Sequence, residues 1–232
     1  MTFDAPLING ILIKRYKRFL ADVQMADGSI ITVHCPNTGR MTTCAEPGWR
    51  VALSDSQNSK RKYRYTWELV HNGQCWICVN TNRANEIAAE AVAAGIIPEL
   101  SGYTEVLREQ KFGNSRLDLL LRTGAELCYV EVKNVTLLLN DGLYAFSDAV
   151  TERGRKHLNE LVDVVRAGHR AAMLFIIPRS DGTAFRVAHE VDPQYAEALK
   201  KACATGVEIY AWRADVSLDE IRAVTSVPIQ PA

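Results

Sequence analysis

The chain has 232 residues, 47% of them hydrophobic and 23% charged, and its 27 basic side chains balance 27 acidic ones. This length allows one large domain or two small ones, and the balance excludes a strongly basic or acidic chain. Because no stretch approaches the roughly 20 apolar residues of a membrane span and no secretion-signal pattern opens the chain, we expect a cytoplasmic protein.

Short strands separated by turns dominate the first eighty residues. The pattern predicts strands over residues 10–13, 19–24, 29–34, 50–54, 66–70 and 75–79, with a turn at Asp27-Gly28. Several short strands in a segment of this size are typical of a small β-barrel such as the OB-fold. We therefore predict an OB-fold-like nucleic-acid-binding domain over residues 1–80.

The charge of the chain is unevenly distributed. Residues 1–80 contain ten basic and six acidic side chains, a net charge of +4. Eight of the ten lie in two clusters with interleaved aromatic residues: Lys14, Arg15, Lys17 and Arg18, then Lys60, Arg61, Lys62 and Arg64. Cationic side chains contact phosphates and aromatic rings stack on bases, so the clusters favour a nucleic-acid partner. The alternative is that they are solvated faces of strands.

Six cysteines are too few for a disulfide scaffold in a chain of this length, so we expect reduced thiols. Cys75 and Cys78 have the spacing of a zinc-binding pair. Their segment has the pattern of a strand, however, in which residues three apart point to opposite faces. We therefore predict cysteines of the core at these positions.

Helices and strands alternate in the remainder of the chain. A helix is predicted to begin near Asn82 and to end at Gly95, and we place the domain boundary close to residue 81. Further on, the pattern predicts helices over residues 152–167 and 193–204, each followed by a strand, over residues 171–177 and 208–212. Such alternation predicts parallel pairing on a mixed sheet, hence an α/β domain over residues 81–232.

Charged side chains interrupt two apolar strands, residues 115–121 and 128–133. If Gly124 and Ala125 form the turn between them, Asp118 lies opposite Glu131, and Lys133 shares the face of Glu131. Two carboxylates at close range repel each other unless a cation lies between them, and such oxygen ligands suit Mg²⁺ or Mn²⁺. The alternative is a solvated salt bridge on an edge hairpin.

The spacing Asp-x12-Glu-x-Lys resembles that of the PD-(D/E)XK nuclease superfamily, which cleaves phosphodiesters. That resemblance implies Asp118 and Glu131 as metal ligands and Lys133 as the superfamily lysine, together with an acid from the first helix. Glu90 or Glu86 supplies that acid, and Glu90 is favoured because it lies deeper in the helix. At the start of the helix over residues 152–167, the side chains of Arg153, Arg155, Lys156 and His157 are either phosphate contacts or part of a solvated face.

Several longer motifs extend the resemblance to nearly the whole chain. They are HCPNTGRM at residues 34–41, which contains Arg40, RKY at 61–63, TWEL at 66–69, LSGY at 100–103, YVEVK at 129–133 and DAVTERG at 148–154. Together they resemble the sugar fermentation stimulation protein A family. Membership implies an OB-fold domain followed by a PD-(D/E)XK nuclease-like domain, DNA binding with little sequence specificity, and a regulatory link to maltose metabolism in bacteria.

Two functions remain open at this point. In the first, the chain binds DNA, single- or double-stranded, and regulates sugar metabolism through a nuclease-like domain that does not cut. In the second, it is a Mg²⁺- or Mn²⁺-dependent nuclease in which Asp118, Glu131, Lys133 and Glu90 carry the chemistry. The intact set of two acids and a lysine favours the second, whereas the family resemblance implies only the first.

Overall fold

The computed structural model describes residues 1–113 and 115–230. Its amino-terminal sheet consists of β1 (Ile8–Tyr16), β2 (Leu20–Met25), β3 (Ile30–His34), β4 (Arg50–Asp55), β5 (Tyr65–His71) and β6 (Trp76–Cys78). The strand order is β3-β2-β1-β4-β5-β6, and a parallel bridge between His34 and Thr66 joins β3 to β5. That bridge closes the sheet into a barrel, so the OB-fold-like prediction is confirmed.

Apolar side chains that alternate along the strands fill the barrel, and among them Val23, Val51 and Trp67 are fully buried. The Asp27-Gly28 turn joins β2 to β3 as predicted: the φ angle of Gly28 is 84°, which favours glycine, and Asp27 Oδ1 accepts a hydrogen bond from the backbone N–H of Ser29. Because β1 runs well beyond the predicted 10–13, the first basic cluster begins inside a strand.

The six cysteines are free thiols. Cys78 lies at the end of β6 and is buried, which confirms the strand prediction for its segment. Burial also raises the pKa of the Cys44 thiol, to about 12, so that this side chain behaves as a small apolar group of the core.

The second domain is built on a six-stranded mixed sheet. It contains β7 (Glu105–Phe112), β8 (Ser115–Thr123), β9 (Glu126–Asn134), β12 (Arg170–Ile177), β14 (Glu208–Val216) and β15 (Ile221–Ser226). The order is β15-β14-β12-β9-β8-β7, in which β9, β12 and β14 are parallel and the outer strands are antiparallel. The prediction of a mixed sheet with parallel central strands is confirmed.

Helices cover both faces of this sheet, and their bounds agree closely with the prediction. They are α1 (Arg83–Ala93), α2 (Glu152–Arg166) and α3 (Pro193–Thr205). One apolar cluster packs under α1 and the other under α2 and α3. The side chain of Thr151 caps α2 by accepting a hydrogen bond from the Gly154 backbone, whereas Asn82, the predicted cap of α1, makes no such bond.

Five strands were not predicted from the sequence. Two of them, β7 and β15, are the edges of the large sheet, and the others form a small sheet: β10 (Leu137–Leu138), β11 (Leu143–Phe146) and β13 (Ala184–Val187). Strand β7 has the sequence EVLREQKF, in which every side chain is at least partly exposed. A solvated edge strand shows no hydrophobic alternation, which explains why the pattern missed it.

A buried ion pair and a buried arginine join the barrel to the second domain. Glu68 on β5 is 1% exposed and accepts two hydrogen bonds from the guanidinium of Arg83 on α1. Arg179, equally buried, donates to the hydroxyl of Thr43 in the barrel and to the carbonyl of Thr136. A buried charge without its partner is strongly destabilising, so these contacts hold the domains together.

No helix within the described ranges is both long and apolar enough to cross a membrane.

Candidate functional site

The β8–β9 hairpin has the register predicted from the sequence. Arg122 pairs with Leu127 and Leu120 with Tyr129, but the ladder ends at Leu119, one pair short of Asp118. Beyond that end, the Asp118 side chain replaces a backbone carbonyl of the paired strand as a hydrogen-bond acceptor. Its Oδ2 accepts a hydrogen bond of 2.8 Å from the backbone N–H of Val132. The two predicted carboxylates are therefore brought together across the end of the hairpin.

An irregularity in β8 sets the direction of the Asp118 side chain. Leu117 packs in the cluster under α2 and α3, whereas Leu119 packs in the cluster under α1, so the alternation slips by one residue between them. On the neighbouring strand, Glu109 lies between the residues paired with Leu117 and Leu119 and adopts a φ of 55°. This slip lets Asp118 reach α1, where Asn85 Nδ2 donates to its Oδ1 at 2.7 Å.

Glu131 lies at the centre of the site and is 1% exposed. The ammonium group of Lys133 is 2.5 Å from its Oε1, and Nδ1 of His157 on α2 contacts the same oxygen. Burial acts to raise the pKa of Glu131, but the hydrogen bond with His157 and the charge of Lys133 outweigh it, so the pKa lies below its usual range. Glu131 is therefore a carboxylate at neutral pH.

The pKa of Asp118 is shifted in the opposite direction to that of Glu131. Burial and the negative charge of Glu131 raise its pKa to about 6, although the hydrogen bond from Val132 and the charge of Lys133 act against the shift. The charged form of Asp118 is therefore disfavoured in the protein alone. A divalent cation between the two carboxylates would remove that penalty.

The residues present fit such a cation. Oε2 of Glu131 is buried and has no hydrogen-bond partner among the described residues, although a buried carboxylate oxygen normally has one. No group of three or more His, Cys, Asp and Glu side chains in the described ranges is placed to hold a metal. The protein would thus offer two carboxylates and leave other positions to solvent or substrate oxygens, an arrangement typical of Mg²⁺ sites.

A cleft of about 430 Å³ opens beside the hairpin, between the barrel and the second domain. The barrel contributes Arg18 and the loop over residues 37–39. The opposite wall contains Asn85, Lys133 and the segment over residues 145–151. Asn85, which holds Asp118, and Lys133, which contacts Glu131, both line the cleft, so the carboxylate pair lies directly behind its wall.

The predicted acid on the first helix is wrong. Glu90 is 55% exposed, forms an ion pair of 2.5 Å with the amino group of Met1 and borders a different depression. Glu86, the alternative, pairs with Arg83 at 3.2 Å and does not line the cleft. The residue that α1 contributes is Asn85, which sequence reasoning missed because a neutral amide in a helix gives no signal.

His157 was also missed as a member of the site. The sequence placed it with the basic residues of the first turns of α2, as a phosphate contact or a solvated residue. In the structure it is buried against Glu131, and its Nε2 accepts a hydrogen bond of 3.4 Å from Arg153. The available signal was its helical spacing from buried residues, three after Gly154 and four before Leu161.

Four of the ten predicted DNA contacts are engaged within the protein. Arg15 donates to the backbone carbonyls of residues 18, 37, 39 and 40, so it organises loops instead of facing a ligand. The other three form ion pairs: Lys14 with Asp22, Arg64 with Asp55 and Arg155 with Asp192. A phosphate contact by any of these four side chains would therefore compete with a contact that the side chain already makes within the protein.

The remaining six are exposed and form no salt bridge within residues 1–113 and 115–230: Lys17, Arg18, Arg40, Lys60, Arg61 and Lys62. The two clusters meet at one end of the barrel. His34 pairs with Leu20, next to the β1–β2 turn. Arg61 donates a hydrogen bond of 3.3 Å to the hydroxyl of Thr66, the bridge partner of His34, which places the second cluster beside the same residue. Phe19, 48% exposed, lies in that turn.

Comparisons with known proteins agree over the whole chain. The model of the SfsA N-terminal OB domain matches residues 13–79, and that of the sugar fermentation stimulation protein RE domain matches residues 82–220. A sugar fermentation stimulation protein homolog of Geobacter sp. (strain M21) is 50% identical over 230 residues, 99% of each chain. One of Acidithiobacillus ferrooxidans is 50% identical over 226 residues, 97% of each chain.

A solved structure is similar as well. The structure of Pyrococcus furiosus SfsA in complex with Ca²⁺ aligns with a TM-score of 0.88 at 27% identity, and the alignment covers 99% of this chain and 98% of that one.

Proposed function

The chain belongs to the sugar fermentation stimulation protein family, and we propose that it is a DNA-binding protein of low sequence specificity with a divalent-metal centre at Asp118 and Glu131. We assign DNA binding to residues 1–80 and the metal centre to residues 81–232. The names of the relatives refer to stimulation of sugar fermentation, and a regulatory role in sugar metabolism is proposed on that ground.

The buried carboxylate pair behind the wall of the cleft is the observation that carries the proposal. A domain that only bound DNA would gain nothing from two acids that repel phosphate. Burial and the charge of Glu131 raise the pKa of Asp118, so a further cation beside Lys133 would favour the charged pair. The unpartnered Oε2 of Glu131 gives such a cation a ligand. The Ca²⁺ complex of the Pyrococcus furiosus relative supports a divalent ion in this fold.

The neighbouring side chains have separate roles in this centre. Asn85 and the backbone N–H of Val132 hold one carboxylate, that of Asp118, from two sides. His157 and Lys133 hold Oε1 of Glu131, which leaves Oε2 for the metal. Because Lys133 also lines the cleft, its ammonium group is placed to donate to a phosphate oxygen bound there.

DNA binding rests on the free cations at one end of the barrel. Five exposed basic side chains from the two clusters lie there together with Arg40, and Phe19 offers an exposed ring beside Arg18. Cations that neutralise phosphates give affinity without sequence preference, and aromatic rings stack on any base. The cleft opens from this end of the barrel, since Arg18 belongs to both.

Hydrolysis of DNA phosphodiester bonds is the second candidate function. It is favoured by one observation, the position of Lys133 between the metal-binding carboxylate and the cleft. When bound, Mg²⁺ or Mn²⁺ would lower the pKa of a coordinated water and neutralise charge on the phosphate. Lys133 would stabilise the negative charge that develops on the phosphate oxygens during attack by water.

The test combines a gel shift with conversion of supercoiled plasmid and labelled single-stranded DNA in Mg²⁺ or Mn²⁺. Glu131→Gln and Lys133→Gln are compared with Glu90→Gln, a matched acid outside the site. Nicking that both site variants lose while the gel shift persists would support the nuclease. A shift without cleavage in either metal would support DNA binding alone, and no shift at low salt would refute the proposal.

A further inference from the structure

The wall that the barrel contributes to the cleft is fixed to the opposite wall. The backbone N–H of Met41 donates to Oδ2 of Asp148 at 3.1 Å. Thr43 donates to the carbonyl of Thr136 at 3.3 Å and accepts from the backbone N–H of Leu138 at 3.1 Å. The barrel loop that contains Met41 and Thr43 therefore bridges the cleft, and it would have to break these hydrogen bonds to move away from the opposite wall.

Gly39 shows how close this contact is. A Cβ atom at Gly39 would lie 2.3 Å from Oδ2 of Asp148, a distance at which the Asp148 carboxylate, which holds Met41, would have to move. Only a residue without a side chain lets the loop pass over Asp148 at this separation. The bridge is thus a tight packing contact as well as a set of hydrogen bonds.

The bridged cleft is small for a nucleic-acid site. Its volume of about 430 Å³ lies in the range of pockets that hold one small molecule, roughly 300 to 1,000 Å³. A B-form duplex is a far larger body, since its major groove alone is about 12 Å wide. A single strand with its bases unpaired is the form of DNA that matches a space of this size.

The chemistry of the lining also suits an unpaired nucleotide. Ser147 is 3% exposed and lines the cleft, and its hydroxyl has no hydrogen-bond partner in the described part of the chain. The amide of Asn134, on the same wall, likewise has neither its donor nor its acceptor matched there. Lys133 and Arg18 are the cations among the described residues of the lining. Neutral donors and acceptors recognise base edges and sugars, while the two cations suit one or two phosphates.

We propose that this cleft binds a single unpaired strand of DNA, with Asn134 and Ser147 forming the subsite for the nucleotide whose phosphate reaches Lys133. The proposal rests on the DNA-binding function proposed above and narrows it to one class of substrate: single-stranded DNA, or the unpaired end of a duplex. A bidentate amide is a known reader of base edges, and Asn134 has both of its hydrogen-bonding groups free for that purpose.

Fluorescence anisotropy tests the proposal with the full chain in Ca²⁺ and two fluorescein-labelled probes, a 20-nucleotide strand without self-pairing and its duplex. The wild-type protein should bind the single strand about tenfold or more tightly than the duplex, because unpaired bases are free to stack. Asn134→Leu, similar in size but unable to hydrogen-bond, should weaken single-strand binding about fivefold and leave duplex binding unchanged. Ser147→Ala, a smaller change, gives a second variant if Asn134→Leu fails to fold.

The control is Lys62→Ala, which removes a cation outside the cleft and should weaken binding of both probes equally. Equal or tighter binding of the duplex would overturn the inference, as would unchanged single-strand binding in folded Asn134→Leu and Ser147→Ala; either result leaves DNA binding itself standing. If neither probe binds at low salt, the proposed function fails together with the inference.

Discussion

Replacing Asp118 with asparagine should stabilise the protein in the absence of metal. Its pKa rises from 3.8 to about 6, so the folded state holds the proton more tightly than the unfolded chain does. This contribution to stability is complete below pH 3.8 and is lost between pH 3.8 and about 6, so that about 3 kcal/mol is missing at neutral pH. Asparagine cannot ionise, and its amide oxygen can still accept the hydrogen bond from Val132.

The net gain in the free energy of unfolding from Asp118→Asn is smaller than this contribution from the pKa shift. Asn85 donates to the second carboxylate oxygen, and an amide nitrogen in its place loses that bond, at about 1 kcal/mol. We therefore expect Asp118→Asn to raise the free energy of unfolding by about 1–2 kcal/mol at pH 7.5. At pH 5 Asp118 is protonated in the folded state, so most of the gain should disappear.

Urea denaturation in EDTA at the two pH values measures this difference, and repeating it in Ca²⁺ gives the effect of metal. Ca²⁺ should stabilise the wild-type protein and Glu90→Gln, and should leave Asp118→Asn unchanged. The reasoning is refuted if Asp118→Asn is less stable than the wild type at pH 7.5 in EDTA, or if Ca²⁺ stabilises it to the same extent.

Three further predictions concern metal affinity, salt dependence and the bridge. The apparent affinity for Mn²⁺ should fall about tenfold per pH unit below pH 6, where Asp118 is protonated, as calorimetric titrations at several pH values would show. Substituting Lys60 and Lys62 together by alanine should reduce the slope of log affinity against log salt by about 1.8 for duplex DNA and about 1.4 for a single strand, whereas Arg64→Ala, which removes a cation already paired with an aspartate, should change it less. Gly39→Ala should destabilise the protein by about 1–3 kcal/mol in thermal unfolding, because the added methyl group meets a carboxylate across the cleft.

The elements that carry strong local signals were predictable from the sequence. The turn at Gly124 fixed the register of β8 and β9, and the helices α2 and α3 have clear starts at Thr151 and Asp192 and, for α3, a glycine at its end. The edge strands β7 and β15 and the small sheet lack such signals. Their side chains are partly solvated or their strands very short, so that long-range pairing decides their conformation.

In the candidate site, too, the residues with a local sequence signal were predicted and those without one were not. Two acids and a lysine in apolar strands were visible because burial of charge demands an explanation. The choice of Glu90 failed because a helix turns about 100° per residue, so Glu90 lies on a different face of α1 from Asn85, which reaches Asp118. The partners of Arg15 and Arg64 come from loops and neighbouring strands, and no local pattern in the chain reveals them.

The most direct test of the metal centre is a calorimetric titration of Mn²⁺ into the wild-type protein, Glu131→Gln and Glu90→Gln at pH 7.5. The structure predicts saturable binding to the wild type and to Glu90→Gln, and loss of that binding in Glu131→Gln, since the unpartnered Oε2 of Glu131 is a ligand. Undiminished Mn²⁺ binding by Glu131→Gln would contradict the assignment of the buried carboxylate pair as the metal site.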